Sequence, residues 1–179
     1  MKLEIIRSST NLSEYLNKYK FQEELTAELD KIDNNTAIDE LILLKIVLWK
    51  INRYPDLTKI PFDKLNKLSE LKPEDFKKVR SFLDEILGIK GIGLPMASTI
   101  LRFRNPQTFP IIDRRAYRVI MGKNYSESKD YKILINTYFN YIDKCRKISS
   151  ENDIPFEQID RVLYLFDKDR NKKISLYKK

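Results

Sequence analysis

The segment that decides the fold is residues 87–115, which read LGIKGIGLPMASTILRFRNPQTFPIIDRR. Gly91 and Gly93 flank one apolar residue, and a helical pattern ends before them while another begins near Pro95. Glycine accepts backbone conformations that other residues avoid, and proline is favoured in the first turn of a helix. The pattern predicts two helices joined by a tight glycine turn, over about residues 76–104.

A turn of this kind places backbone N–H groups beside a helix N-terminus, where a phosphate is bound favourably. Lys90 lies in the turn and adds a positive charge. A Gly-x-Gly sequence between helices is also compatible with a turn that holds no ligand. Lys90, Gly91 and Gly93 are therefore candidate contacts to a phosphate.

The residues that follow the second helix add a second signal. Asp113 lies twenty positions after Gly93, at the end of an apolar run. It is followed at once by basic residues at Arg114, Arg115 and Arg118. A carboxylate can stabilise positive charge that develops on a sugar, or activate a water molecule. Aspartate is also a favoured N-cap, and a helix is expected from Arg114, so a structural role is equally open at this point.

The turn and Asp113 together resemble the helix-hairpin-helix DNA glycosylase superfamily, the fold of endonuclease III and the 8-oxoguanine glycosylases. In that family the turn reads roughly Leu-Pro-Gly-Val-Gly, and an aspartate about twenty residues later is catalytic. The resemblance implies an all-α fold with two helical lobes around a cleft. It also implies double-stranded DNA as the partner and Asp113 as the carboxylate that promotes cleavage of an N-glycosidic bond.

Two departures from the family pattern bear on the chemistry. Bifunctional members carry a nucleophilic lysine two residues after the second glycine, where this chain has Pro95. Because proline has no side-chain nucleophile, a monofunctional enzyme without lyase activity is expected. The residues that usually follow the catalytic aspartate are replaced here by Arg114 and Arg115, which together with Arg118 we expect to contact the DNA backbone.

The resemblance implies further site residues. A monovalent cation would be held by backbone carbonyls of the turn, which by position belong to Leu87, Ile89 and Ile92. A flipped base would meet Asp160 and Tyr164, which are four residues apart and so share a helix face. The side chains of Trp49 and Tyr54 are further candidates for the lining of that pocket. No other cofactor is expected.

Composition narrows the class of protein. The chain of 179 residues has no histidine and a single cysteine, Cys145, which excludes disulfides, most zinc sites and histidine-dependent nucleophiles. No apolar run reaches the length of about 18 residues that a membrane helix needs, and the first residues do not resemble a signal peptide. We expect a cytoplasmic protein without a membrane partner, a monomer that forms a single all-α domain over residues 1–179.

The net charge of +8 is unevenly distributed. Residues 1–40 contain nine acidic and five basic side chains, whereas residues 41–179 contain seventeen acidic and twenty-nine basic ones. A basic body suits a polyanion such as DNA, although lysine-rich surfaces are also common in proteins that bind none.

Hydrophobic periodicity predicts helices and gives few strand signals. The helix at 37–54 follows a capping-box pattern at Thr36 and Asp39 and is apolar on most faces, so a buried central helix is expected there. The lysine-rich end, residues 168–179, is expected to be frayed. The helices are predicted at about 12–31, 37–54, 61–71, 73–87, 95–104, 114–121, 131–148 and 155–167.

The sequence thus favours a DNA glycosylase that uses Asp113. A non-catalytic helix-hairpin-helix module that grips the DNA backbone within a repair or restriction complex remains the alternative. A structural partner protein with a merely solvated basic face is a third possibility.

Overall fold

The computed structural model describes residues 22–32, 38–50, 55–126 and 128–176. These residues form helices and no strand, which confirms the all-α class. The chain divides into two compact units, Met1–Tyr54 and Pro55–Lys179.

The helices of the first unit are α1, Glu23–Leu29, and α2, Glu40–Lys50. They contact each other through polar side chains at two levels. The Trp49 Nε1–H group donates to Thr26 Oγ1 at 2.9 Å, and the Lys45 ammonium pairs with the Glu28 carboxylate. The cap at Thr36 and the predicted helix segments 12–21 and 51–54 lie outside the described residues.

The expectation that the helix over 37–54 is buried is wrong for its described part. Leu41, Leu43, Leu44 and Val47 of α2 are each about half exposed, between 48% and 59%. A helix that is apolar on most faces buries only the side that meets a neighbour, because one partner helix covers one stripe of its surface.

The second unit contains six α-helices and four short 3₁₀ segments among its described residues. Their bounds agree closely with the predicted ones, except that 68–70, 73–79 and 156–158 are 3₁₀ rather than α-helical. The α-helices are α3 Phe62–Lys67, α4 Arg80–Leu87, α5 Leu94–Arg104, α6 Arg114–Met121, α7 Tyr131–Glu151 and α8 Ile159–Arg170. The 3₁₀ segments are Leu57–Lys59, Leu68–Glu70, Pro73–Val79 and Phe156–Gln158.

The core of the second unit forms around α7. This helix buries a continuous apolar stripe that includes Ile135, Tyr138 and Ile142, at the spacing of one helix face. α4 packs against it, and Leu83 and Ile86 of α4 are fully buried. Since burial of each such side chain contributes about 1.5–3 kcal/mol, this stripe makes α7 the central helix of the unit.

The ends of α6 and α7 follow from local sequence. Asp113 and Asp130 cap the two helix N-termini with their side chains, as expected for aspartate at this position. Gly122 ends α6 with φ of 67°, the left-handed conformation that glycine adopts without strain. None of the helices in the described part of the chain combines the length and apolar character that a membrane span requires.

Candidate functional site

The turn between α4 and α5 is closed by its own backbone. The Ile92 N–H donates to the Ile89 carbonyl at 3.0 Å, and both isoleucine side chains are buried. Gly91 has φ of 88°, a conformation that side chains disfavour. The Lys90 carbonyl accepts from the Asp56 N–H at 3.3 Å. The predicted glycine turn is present, and Gly91 is the position in it that requires glycine.

Gly93 is the N-cap of α5 and leaves the helix N-terminus uncapped by a side chain. Its φ of −91° and ψ of 173° are open to any residue, and a Cβ added there would lie 3.8 Å from Pro95 Cδ, in ordinary contact. The first N–H groups of a helix have no intrahelical partner, and Ala97 is the first residue whose N–H reaches back, to the Gly93 carbonyl. With the exposed Lys90 nearby in sequence, this N-terminus has the chemistry that suits an anion.

Asp113 caps α6 through one oxygen only. Its Oδ1 accepts from the N–H groups of Arg115 at 2.7 Å and Ala116 at 2.8 Å. Among the described residues no hydrogen bond is made to Oδ2. Partial burial raises the pKa of Asp113, against the lowering effect of the two backbone hydrogen bonds and of the Arg115 charge, while the Asp160 charge raises it further. The carboxylate is therefore half-buried, fixed at one oxygen and available at the other.

The backbone that leads to Asp113 is held by side chains from three helices. The Tyr138 and Tyr141 hydroxyls donate to the carbonyls of Pro110 at 2.8 Å and Ile111 at 2.9 Å. Ser98 Oγ accepts from the Ile112 N–H at 3.1 Å, and Asp160 Oδ2 accepts from the Ile111 N–H at 2.9 Å. We call Ser98, Tyr138, Tyr141 and Asp160 the backbone clamp.

The backbone clamp connects Asp113 to the glycine turn and to the core. Ser98 belongs to α5, so the helix that begins at Gly93 is bonded directly to the residue before Asp113. Burial raises the pKa of both Tyr138 and Tyr141 well above the ordinary value, so both hydroxyls remain protonated donors. Buried backbone groups that are all paired form a rigid support for the side chain they carry.

The start of the same loop is held by amide and hydroxyl groups that sequence reasoning missed. Asn105 Nδ2 donates to the carbonyls of Leu68 and Leu71, each at 2.8 Å. Thr108 Oγ1 donates to the Leu71 carbonyl at 3.1 Å. A signal was available for the clamp, since tyrosines spaced three apart on an apolar helix face require hydrogen-bond partners when they are buried. Asn105 and Thr108 carried no comparable signal, because their partners are carbonyls distant in sequence.

The arginines after Asp113 differ in their surroundings. Arg118 is buried, and its guanidinium binds both oxygens of Asp167, at 2.5 and 2.9 Å. Arg115 is partly exposed, donates to Asp167 Oδ2 at 3.1 Å and lies 5.8 Å from the Tyr164 ring centroid. Burial alone would raise the pKa of Asp167, but its hydrogen bonds to Arg118, Asn171 and Arg115 outweigh this effect, and the pKa lies below the ordinary value.

This placement corrects the expectation for Arg118 as a contact to DNA. A guanidinium inside the protein with a carboxylate partner joins α6 to α8 and does not face a phosphate. Arg114 and Arg115, both half-buried, remain candidates for that role.

Arg118 also holds the chain end. Its Nη1 donates to the carbonyls of Ile174 at 3.0 Å and Ser175 at 3.2 Å, and α8 continues to Arg170. The predicted fraying of residues 168–179 stays a prediction. Residues 177–179 lie outside the described residues.

Asp160 and Tyr164, two of the residues expected to form a base pocket, differ in exposure. Asp160 is only 5% exposed, and besides the Ile111 N–H it faces Arg102 Nε at 3.4 Å. Tyr164 is 38% exposed. Trp49 belongs to the first unit, and Tyr54 lies outside the described residues. Asp160 is thus a buried support of the loop rather than an accessible acceptor for a base, whereas Tyr164 remains accessible.

The carbonyls expected to hold a monovalent cation lie at the turn itself. Ile89 accepts one hydrogen bond that closes the turn, and Leu87 is the last residue of α4. Carbonyl oxygens suit a hard cation, and a carbonyl that accepts one hydrogen bond retains a second lone pair. The donor set of Leu87, Ile89 and Ile92 therefore fits such an ion in its chemistry, and the site stays a prediction.

Comparison of the chain with protein-family models, with curated proteins and with solved structures finds no match.

Proposed function

We propose that this protein is a monofunctional DNA glycosylase that hydrolyses the N-glycosidic bond of a flipped, damaged or modified base, with Asp113 as the catalytic carboxylate. The observation that carries the proposal is the state of Asp113. It is half-buried, its pKa is raised by that burial, and Oδ2 has no hydrogen bond among the described residues. A perturbed carboxylate on a rigid support is typical of a functional site.

Hydrolysis of an N-glycosidic bond requires chiefly an anion that stabilises the positively charged sugar. As the glycosidic bond breaks, the base departs with the bonding electron pair and positive charge develops on the sugar. A fixed anion beside C1′ stabilises that charge, water then adds to C1′, and the proton released balances the charge on the departed base. The products are the free base and an abasic site. Asp113 would act through Oδ2, because Oδ1 is held by the helix N-terminus.

The turn supplies the expected grip on DNA. The uncapped N-terminus of α5 presents N–H groups to a phosphate, and the exposed Lys90 adds charge. Because Ser98 of α5 is bonded to the residue before Asp113, a phosphate held at Gly93 would be in fixed register with the carboxylate. Effective catalysis requires such registration of binding and reacting groups.

The absence of lyase activity is part of the proposal. At the position of the family's lysine, Pro95 has no amine, and its carbonyl accepts from the Ser98 and Thr99 hydroxyls, each at 2.8 Å. The described hydrogen bonds and charge contacts of Asp113 involve no lysine.

The test is a screen of DNA duplexes that carry different base lesions, in which released bases are detected as alkali-labile strand breaks. Wild type should act on at least one lesion, and Asp113→Asn should not. Asp130→Asn is the matched control, since Asp130 caps α7 in the same way, through Oδ1 and the Lys132 N–H at 2.8 Å, but is exposed. Base release by Asp113→Asn at the wild-type rate would exclude the catalytic assignment.

The alternative is a non-catalytic module that binds the DNA backbone through the turn. The capping bonds of Asp113 favour it, because they give this residue a structural role that requires no chemistry. This alternative predicts salt-dependent binding to duplexes of any sequence together with no base release from any lesion.

A further inference from the structure

We propose that the buried Asp160 is a positioning residue for Asp113, which it holds through the backbone at Ile111, and that its negative charge also acts on the Asp113 carboxylate. The proposal rests on the function proposed above for its kinetic consequences. Its structural basis is independent of that function.

Asp160 is buried and bonded to both the backbone and a guanidinium. Its side chain is 5% exposed, and Oδ2 receives both the Ile111 N–H at 2.9 Å and the Arg102 guanidinium, with Nε at 3.4 Å. The Arg102 side chain is 9% exposed and also donates to the Glu157 carbonyl. A buried ion pair of this kind contributes little net stability compared with an apolar pair of the same volume. Because this pair contacts the backbone of Ile111, two residues before Asp113, we infer that it has a role other than stability.

The short segment before Asp113 is heavily bonded. Pro110, Ile111 and Ile112 make four hydrogen bonds with side chains of the backbone clamp: two N–H groups donate to Asp160 and Ser98, and two carbonyls accept from Tyr138 and Tyr141, which lie on α5, α7 and α8. Three neighbouring elements thus determine where the segment lies, and the next residue is Asp113. A shift of about 1 Å in a reacting group can reduce a rate by about a hundredfold, so this support bears directly on the carboxylate.

Charged groups near Asp113 also shift its pKa. The titratable groups that act on Asp113 are Arg115 on its own helix, Asp160 on α8 and Tyr141 on α7. α5 contributes Ser98, which carries no charge. Arg115 lowers the pKa of Asp113 and Asp160 raises it, while Tyr141 is neutral because burial keeps its hydroxyl protonated. Among the described residues, Asp160 is thus the one whose negative charge raises the pKa of Asp113, and its removal is expected to lower that pKa.

Two variants separate position from charge. Asp160→Asn removes the negative charge and with it the ion pair to Arg102, so it changes both the charge that acts on Asp113 and the strength of the bond to the Ile111 N–H. Tyr141→Phe removes the hydroxyl that donates to the Ile111 carbonyl and changes no charge. Asp169→Asn is the control, because Asp169 lies on the same helix with its side chain 72% exposed.

The experiment measures three quantities in each folded variant. The pKa of Asp113 is read by NMR from its labelled carboxyl carbon, amide exchange is read at Ile111 and Ile112, and kcat and KM are read on the lesion that wild type processes. In Asp160→Asn we expect the pKa of Asp113 to fall and kcat to drop by about 10- to 100-fold with little change in KM. In Tyr141→Phe we expect faster amide exchange and a similar loss of kcat, with the pKa of Asp113 unchanged.

The outcomes are distinguishable. If Asp113 titrates at the wild-type pH in Asp160→Asn, the charge effect is overturned, and if kcat is unchanged in both variants, the positioning role is overturned. If Asp160→Asn does not fold, Tyr141→Phe decides, because unchanged amide exchange at Ile111 would overturn the role of the clamp. If wild type releases no base from any lesion, the proposed function fails, while the NMR and exchange results still decide the proposal made here.

Discussion

The replacement of Asp113 by asparagine would separate the proposed catalysis from folding. Asparagine is as good an N-cap as aspartate, so the hydrogen bonds from Arg115 and Ala116 can be retained. The negative charge on the available oxygen is lost. Removal of one preorganised charge-stabilising group typically raises the activation free energy by about 3–5 kcal/mol, which corresponds to roughly two to four orders of magnitude in rate.

The same substitution that lowers the rate is expected to maintain or raise the free energy of unfolding at neutral pH. The pKa of Asp113 is raised in the folded protein, so this group stabilises the fold below its unfolded pKa, and that contribution is lost as the pH rises through the folded pKa. At neutral pH the ionised carboxylate therefore opposes folding. Asp113→Asn should be at least as stable as wild type at pH 7, with the difference disappearing under acidic conditions. Asp113→Ala should instead lose about 1 kcal/mol, because the cap itself is removed.

The assay is single-turnover base release from the processed lesion across a range of pH, combined with urea unfolding at pH 7 and at pH 4. Wild type should lose activity toward acid, at a pH above the ordinary value for an aspartate, as the carboxylate is protonated. Asp130→Asn should match wild type in rate and in pH profile. Two results refute the reasoning: a rate for Asp113→Asn within tenfold of wild type, or a clear loss of its free energy of unfolding at pH 7.

Three further predictions concern other parts of the site. Gly93→Ala should fold normally, since its φ of −91° and its open surroundings admit a Cβ, yet weaken binding to DNA of any sequence by about tenfold through one lost phosphate contact. Gly91→Ala, at φ of 88°, should instead cost about 1–2 kcal/mol of stability; equal effects of the two changes on unfolding and binding would contradict this division. Asp167→Asn leaves Arg118 buried without its carboxylate partner and should lower the free energy of unfolding at pH 7 by about 3–5 kcal/mol. Because the pKa of Asp167 is lowered, wild type itself loses this contribution as the pH falls through the folded pKa, so urea unfolding should show a shrinking difference toward acid; a difference that is constant with pH would refute this origin. Finally, Pro95 stands where bifunctional helix-hairpin-helix glycosylases carry a lysine. Borohydride should therefore trap no protein–DNA adduct during turnover of an active substrate. A strong adduct on gel electrophoresis would show that another amine attacks the sugar.

The sequence by itself determined the local features of this protein. Helix periodicity, the proline at Pro95 and the cap at Asp113 depend on residues within a few positions of each other, and the observed elements agree with them. The glycine turn was predictable for the same reason, because φ of 88° at Gly91 is a property of one residue. These features depend on backbone geometry and on hydrogen bonds between residues close in the chain, so local sequence predicts them.

Only the tertiary structure decided which polar side chains are buried and what they bind. Arginine and aspartate are usually exposed, yet Arg118 and Asp160 are both buried. Each has a partner of opposite charge on another helix: Asp167 for Arg118, and Arg102 for Asp160. The half-exposed α2 is the converse case, since its apolar sequence predicted burial that its neighbours do not provide. Desolvation and pairing depend on what surrounds a group in space, and residues dozens of positions away in the chain supply those surroundings.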